Sequence, residues 1–215
     1  MTELQLDHIV VAVPDLELAK SEFASKTGVT PIDGGPHPGR GTCNALVSFG
    51  ASSYLELIAP DPQQTLAGTN GAKFAELHEP QLLHWALRTT DLAAVSAQTK
   101  QAGLTPGAIH SMSRNTPQGE VLNWRLMGLS GHSYGGLLPF YIDWLDCPHP
   151  TLSAPAVGRL KSVAVSLPSA ELQGLFEGVV GVVAQQGQSR LSVSFDSRGG
   201  EQTYRSTSPQ GFGFG

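Results

Sequence analysis

Two imidazoles and two carboxylates recur at matched places along this 215-residue chain. A shift of 76 residues sets LLHWALRTTDL (82–92) on LDHIVVAVPDL (6–16), so that His84 falls on His8, Asp91 on Asp15 and Leu92 on Leu16. A shift of 87 lays YIDWLDCPHP beside YLELIAPDP, with Tyr141 on Tyr54 and Asp143 on Glu56. His8, Glu56, His84 and Asp143 together would form a mixed nitrogen and oxygen shell. Such a shell suits a divalent Zn, Ni, Mn or Fe ion and is unlike a structural thiolate site. The carboxylates would neutralise the dication, and the remaining coordination positions would take water or substrate. The alternative is that each acid simply hydrogen-bonds a histidine, satisfying a buried charge without a metal.

The elements that must position these groups repeat as well. Ile9 to Val13 form an apolar, β-branched strand, Pro14-Asp15 punctuates it, and LELAKSEFASKTG reads as a helix ending at Gly28. A loop, GGPHPGRG, leads to extended runs at 44–49 and 53–59, separated by a Gly50-Ala51-Ser52 turn. The second lap has a helix ending at Gly103, an extended segment, a Thr116-Pro117-Gln118-Gly119 turn and the strand VLNWRLMGL. It carries about 11 extra residues, placed around 107–115 and 130–136. A third lap begins at LKSVAVSLPSAEL with Leu160 on Leu6 and Ser162 on His8, continues through a helix (SAELQGLFEGVVG) and two strands, and stops.

The expected organisation is α+β. Two βαβββ modules at about 4–62 and 80–150 form one cupped, mostly antiparallel sheet within residues 1–150. A truncated third module follows at 158–206, and 207–215 reads as a flexible tail.

Composition limits the partners. A formal net charge of −5 and the lack of a basic cluster argue against nucleic acid. No apolar run of about 18 residues is present, so no membrane helix is expected, and MTELQLDHIV has no signal-peptide pattern. Cys43 and Cys147 make neither a disulfide framework nor a zinc ribbon, and a cytoplasmic setting is expected.

Several further residues could face a cavity between the modules. His37 and Arg40, in the glycine-rich loop, could hold an anionic or carbonyl group. Cys43, Arg114, Trp124 and Arg125 are candidates for the wall or rim, while His110, His132 and His149 sit in loop-like stretches and read as solvated. GHSYG (131–135) matches G-x-S-x-G, but Pro139 and the short path to YIDW leave no room for the helix a nucleophile elbow needs behind Ser133.

The stretches LDHIVVAVPDL, GGPHPGRGTCNALVSFG, SYLELIAPDP and LPFYIDW resemble the vicinal oxygen chelate superfamily, which includes glyoxalase I, extradiol dioxygenases and the bleomycin resistance proteins. More narrowly they resemble its glyoxalase-like domain group, over about residues 4 to 150. The resemblance implies metal ligands on the first and fourth strands of each module, at His8, Glu56, His84 and Asp143. It implies a metal-dependent lyase or isomerase acting on a substrate with vicinal oxygens, with Glu56 or Asp143 as the catalytic group that moves the proton. His37, Arg40, Cys43, Arg114 and Trp124 are then the substrate-binding candidates. The family also contains drug-sequestering binders that need no catalysis, and Fe(II) dioxygenases with two histidines and one carboxylate. Relatives often pair modules across a homodimer, which two modules in one chain make unnecessary.

Overall fold

The computed structural model describes residues 3–116, 119–169 and 171–206. The first unit comprises β1 (Gln5–Ala12), α1 (Leu16–Thr27), β2 (Ile32–His37), β3 (Thr42–Ser48) and β4 (Tyr54–Pro60). A short helix, α2 (Asn70–Ala75), leads to the second unit: β5 (Gln81–Arg88), α3 (Leu92–Gln101), β6 (Thr105–Asn115), β7 (Val121–Ser130) and β8 (Phe140–Asp143). These eight strands form one sheet in the order β2-β3-β4-β1-β5-β8-β7-β6. In each unit the first strand runs parallel to the fourth, and β1 and β5 join the units antiparallel. The two halves are thus wired alike, and the sheet is a curled half-barrel.

The repeated aspartates explain why both laps fold the same way. Asp15 accepts a hydrogen bond from the Leu18 amide at 2.9 Å, and Asp91 accepts one from the Ala94 amide at 2.9 Å. Each caps the helix that follows its strand, a contact worth about 1 kcal/mol. Gly28 then ends α1 in the left-handed conformation at φ 76°.

β2 takes Gly34, Gly35 and Pro36 out of the stretch that reads as a loop; Gly35 and Pro36 pair with β3, and Gly34 is the bulge at a shift in register. Proline is tolerated there because β2 is an edge strand and its outward side needs no donor. At the far edge, Asn115 ends β6, and its carbonyl comes so close to Gly35 (φ 121°) that a β-carbon there would lie 2.7 Å away. The two edges of the sheet therefore meet, which curls it around a cavity. Pro117 and Gln118 of the expected turn lie outside the described residues, as does the 207–215 tail.

The third unit differs most from expectation. β9 (Leu160–Leu167) is followed by a 3₁₀ turn over 171–176 in place of a helix, then by β10 (Val182–Gln186), β11 (Arg190–Ser197) and β12 (Gly200–Ser206). β10 begins directly after the stretch 169–181 where the helix was expected, in residues assigned no element from the sequence. The sheet order β10-β9-β11-β12 also sets β9 parallel to the next strand, not to the last. This sheet closes the outer core of the molecule. Phe195 packs 5.0 Å from Phe49 and 6.3 Å from Phe23, while Phe176 packs 5.2 Å from Trp85. One apolar cluster thus joins the helices, the outer sheet face and the third unit, and a second covers the concave face.

Gly158 admits the chain into the third unit. Its φ is 147°, and a β-carbon there would lie 1.9 Å from the Asp196 carbonyl oxygen. Gly158→Ala is expected to lose about 2–3 kcal/mol, because a side chain both strains this backbone and collides with β11. A urea melt of the variant beside the parent measures the loss.

Candidate functional site

The concave face of the sheet is built from alternate residues. His8, Tyr54, Glu56 and Ile58 point inward from the first unit, and Trp124, Phe140, Ile142 and Trp144 from the second. Between them lies a cavity of about 90 Å³. One water needs roughly 10–15 Å³ by this measure, so the space admits a small organic molecule.

Glu56, 8 % exposed, is held at three points. Its Oε1 accepts a hydrogen bond from Asn44 Nδ2 at 2.7 Å and lies 3.8 Å from His37 Nε2. Its Oε2 lies 3.6 Å from His8 Nε2. Asn44 Nδ2 also approaches His37 Nε2 at 3.3 Å, so its two protons serve both neighbours, while His37 Nδ1 meets the Thr42 hydroxyl at 3.0 Å. Burial lowers the His37 pKa, the Arg114 and Arg40 charges add to this, and the ring is neutral near pH 7. The Asn44 Oδ1 is buried without a partner among the described residues, in space that the bare Gly34 leaves open.

His8 is oriented from behind. Its Nδ1 lies 2.6 Å from the carboxylate of Asp7, which is fully buried in β1. Asp7 also receives hydrogen bonds from Trp144 Nε1 at 3.1 Å and His149 Nε2 at 3.0 Å. Burial alone would push the Asp7 carboxyl up, but the hydrogen bonds and charges of His149 and His8 outweigh it and hold the group well below the usual range. An ionised carboxylate only accepts, so His8 carries its proton on Nδ1 and turns Nε2 toward Glu56. Tyr54 stacks on the imidazole with ring centroids 4.7 Å apart and fixes its plane.

His84 and Asp143 do not join this group. Val10 lies beside Glu56 and Ala86 beside Phe140. The repeat that sets Val10 on Ala86 therefore sets Glu56 on Phe140, not on Asp143. Asp143 faces the other side of β8, where it pairs with Arg125 and accepts the Leu145 amide at 2.9 Å. His84 lies on the cavity side of β5, and Phe140 packs against both imidazoles, 5.3 Å from His8 and 5.1 Å from His84. The Nδ1 of His84 meets the Trp85 carbonyl at 3.1 Å, and burial lowers its pKa to about 4. The expected four-residue shell, and likewise a triad of His8, His84 and one carboxylate, is thus broken by an aromatic ring. Among the described residues no three His, Cys, Asp or Glu side chains group so as to hold a metal ion. His8 Nε2 and Glu56 offer two donors, and the His37 nitrogen beside them is occupied by Asn44. These residues do not fit a resident divalent ion.

His37, Arg40, Arg114 and Trp124 all line the cavity. Cys43 does not. Its Sγ turns to the Pro60 carbonyl at 3.6 Å, and burial pushes the thiol up to about 11, so it is protonated and inert. His149, expected in solvent, instead backs the site through Asp7. Ser133 precedes only a 3₁₀ turn (Gly135–Leu137), so no nucleophile elbow forms.

Sequence reasoning missed Asp7, Asn44, Tyr54, Phe140 and Trp144. An acid in the middle of an apolar run, directly before His8, was the available signal for Asp7.

A family model described as a glyoxalase-like domain matches residues 6–177. No curated protein matches the chain. Among solved structures, a hypothetical protein from Staphylococcus aureus is similar over 94% of this chain and 85% of its own, with TM-score 0.65 and 17% identity. Methylmalonyl-CoA epimerase from Mycobacterium tuberculosis is similar over 69% of this chain and 90% of its own, with TM-score 0.49 and 24% identity. No helix among the described residues is long and apolar enough to cross a membrane.

Proposed function

The chain belongs to the glyoxalase-like domain family of the vicinal oxygen chelate superfamily, and from that premise we propose that its cavity binds a small molecule and that Glu56 exchanges a proton with it. The observation that carries this reading is the Asp7–His8–Glu56 line. Asp7 fixes the His8 tautomer, and His8 Nε2 and Glu56 Oε2 then stand 3.6 Å apart as two proton acceptors facing one small cavity.

The chemistry follows from these roles. Glu56 takes a proton from a carbon next to a carbonyl, and the electron pair of that C–H bond moves onto the carbonyl oxygen. His8 accepts the proton from Glu56 in turn, as the imidazolium that Asp7 stabilises, so that Glu56 is again a base. Return of the proton to the same or a neighbouring carbon completes an isomerisation, and loss of a leaving group completes a lyase reaction. The apolar wall formed by Ile58, Leu126, Phe140 and Ile142 excludes water from the intermediate.

The test is carbon-proton exchange in D2O, followed by NMR with 2-oxobutyrate, a probe with vicinal oxygens and an acidic C–H. Wild-type protein is expected to speed loss of the C3 proton signal. Glu56→Gln is expected to lower the enhancement by roughly 10²–10⁴-fold, the usual weight of a positioned base. Saturable binding of the probe with no exchange would overturn the proton-transfer reading and leave the cavity as a sequestering site.

A further inference from the structure

β6 forms one edge of the sheet, and ten of its eleven residues are exposed or half-buried. Its one buried side chain is Arg114, at 6 % exposure. The residue lines the same cavity as Glu56, yet among the described residues no carboxylate stands within ion-pair distance of its guanidinium and it donates no hydrogen bond. Burial disfavours its charge, and only the more distant Tyr54 and Glu56 act against that. The same side chain borders a wider groove of about 650 Å³. It therefore stands at the junction between the deep cavity and the surface.

A guanidinium carried by a largely buried side chain with no protein anion beside it is costly, and proteins keep such groups where something else supplies the anion. Its planar fork matches a carboxylate in two parallel hydrogen bonds. The wall also carries aromatic and apolar side chains, with Trp124 and Trp144 rings 5.5 Å apart, together with polar ones, among them His37, Arg40 and Glu56. We propose that Arg114 is a carboxylate-binding residue and that the ligand of this cavity is a small carboxylate with an apolar or aromatic body. The assignment rests on the reading of the cavity as a small-molecule site, and it names the ligand class of that site. The carboxylate seats on Arg114 at the mouth, and the body lies against Trp124 and Trp144.

The experiment compares phenylacetate with phenylacetamide, which share shape and differ in charge, by calorimetric titration and by quenching of tryptophan fluorescence. Wild type is expected to bind phenylacetate roughly tenfold more tightly or better, the weight of a charge-assisted pair. Arg114→Gln brings the two probes to within about twofold of each other, while Arg114→Lys, which keeps the charge and loses the fork, retains part of the preference. Circular dichroism verifies that both variants are folded, and the wild-type comparison stands without either. Equal affinity of wild type for the two probes overturns the proposal, as does a preference that survives in Arg114→Gln. Silence of both probes at millimolar concentration overturns it too. Carboxylate preference in a protein that shows no carbon-proton exchange sinks the proton-transfer reading and leaves this one standing.

Discussion

Asp7→Asn is expected to lower the stability of the folded protein by about 3–5 kcal/mol at neutral pH, the range found when one member of a buried charged network is removed. The carboxylate accepts from three donors: buried His8 on one oxygen, and buried Trp144 and half-buried His149 on the other. An asparagine keeps one acceptor oxygen and turns an NH2 group toward a donor, so at least one N–H is left unpaired. The variant also loses the charge that fixes the His8 tautomer. Urea melts at neutral pH measure the first effect. The pH dependence gives an independent reading. The folded carboxyl titrates well below its ordinary 3.8, so its contribution is fully present above that pH and is lost as pH falls below it. Wild type is therefore expected to lose stability in that acid window, and Asp7→Asn to show a flatter profile there.

His84 has the opposite chemistry and an effect of similar size. Its pKa falls from 6.5 to about 4, chiefly through burial, with the charges of His8 and His132 acting in the same direction. The unfolded chain binds this proton more readily than the folded one between those two values. Stability is therefore highest above pH 6.5 and falls as pH drops toward 4, by about 3 kcal/mol in total. His84→Phe removes the titration and keeps the packing against Phe140. The variant is expected to lose the His84 share of the decline and to keep only the slopes left by His37 and His132. Urea melts at closely spaced pH values compare the two curves, and equal slopes would refute the assignment.

Much of the fold was legible because its signals are local. The run Ile9–Val13, the capping aspartates Asp15 and Asp91 and the glycine stops lie within one short stretch of each lap; the aspartates recur at a shift of 76, and Gly28 and Gly103 at 75. The third unit was less legible. ELQGLF has helical spacing but lies between Pro168 and Gly178 and forms only a 3₁₀ turn. β10 exposes most of its side chains and shows no apolar alternation. The first-unit half of the site could be read from the sequence, since His8 and Glu56 fall on adjacent parallel strands. The second half could not. β8 is buried on both faces, so nothing in FYID tells which residues point inward, and matching Tyr141 to Tyr54 moved the acid to the wrong side. One strand residue of slip reverses the face of every side chain. Arg114 was nameable as a candidate, but that it is the one buried side chain of an otherwise open edge depends on how far the sheet curls.

The central claim is that Glu56, backed by His8 and Asp7, moves a proton in this cavity through the protein's own side chains. The most direct test is 2-oxobutyrate exchange in D2O by wild-type protein before and after exhaustive treatment with a chelator. Equal rates in the two samples, both collapsing in Glu56→Gln, are the predicted result. Exchange that disappears with the chelator and returns with a divalent ion would contradict it.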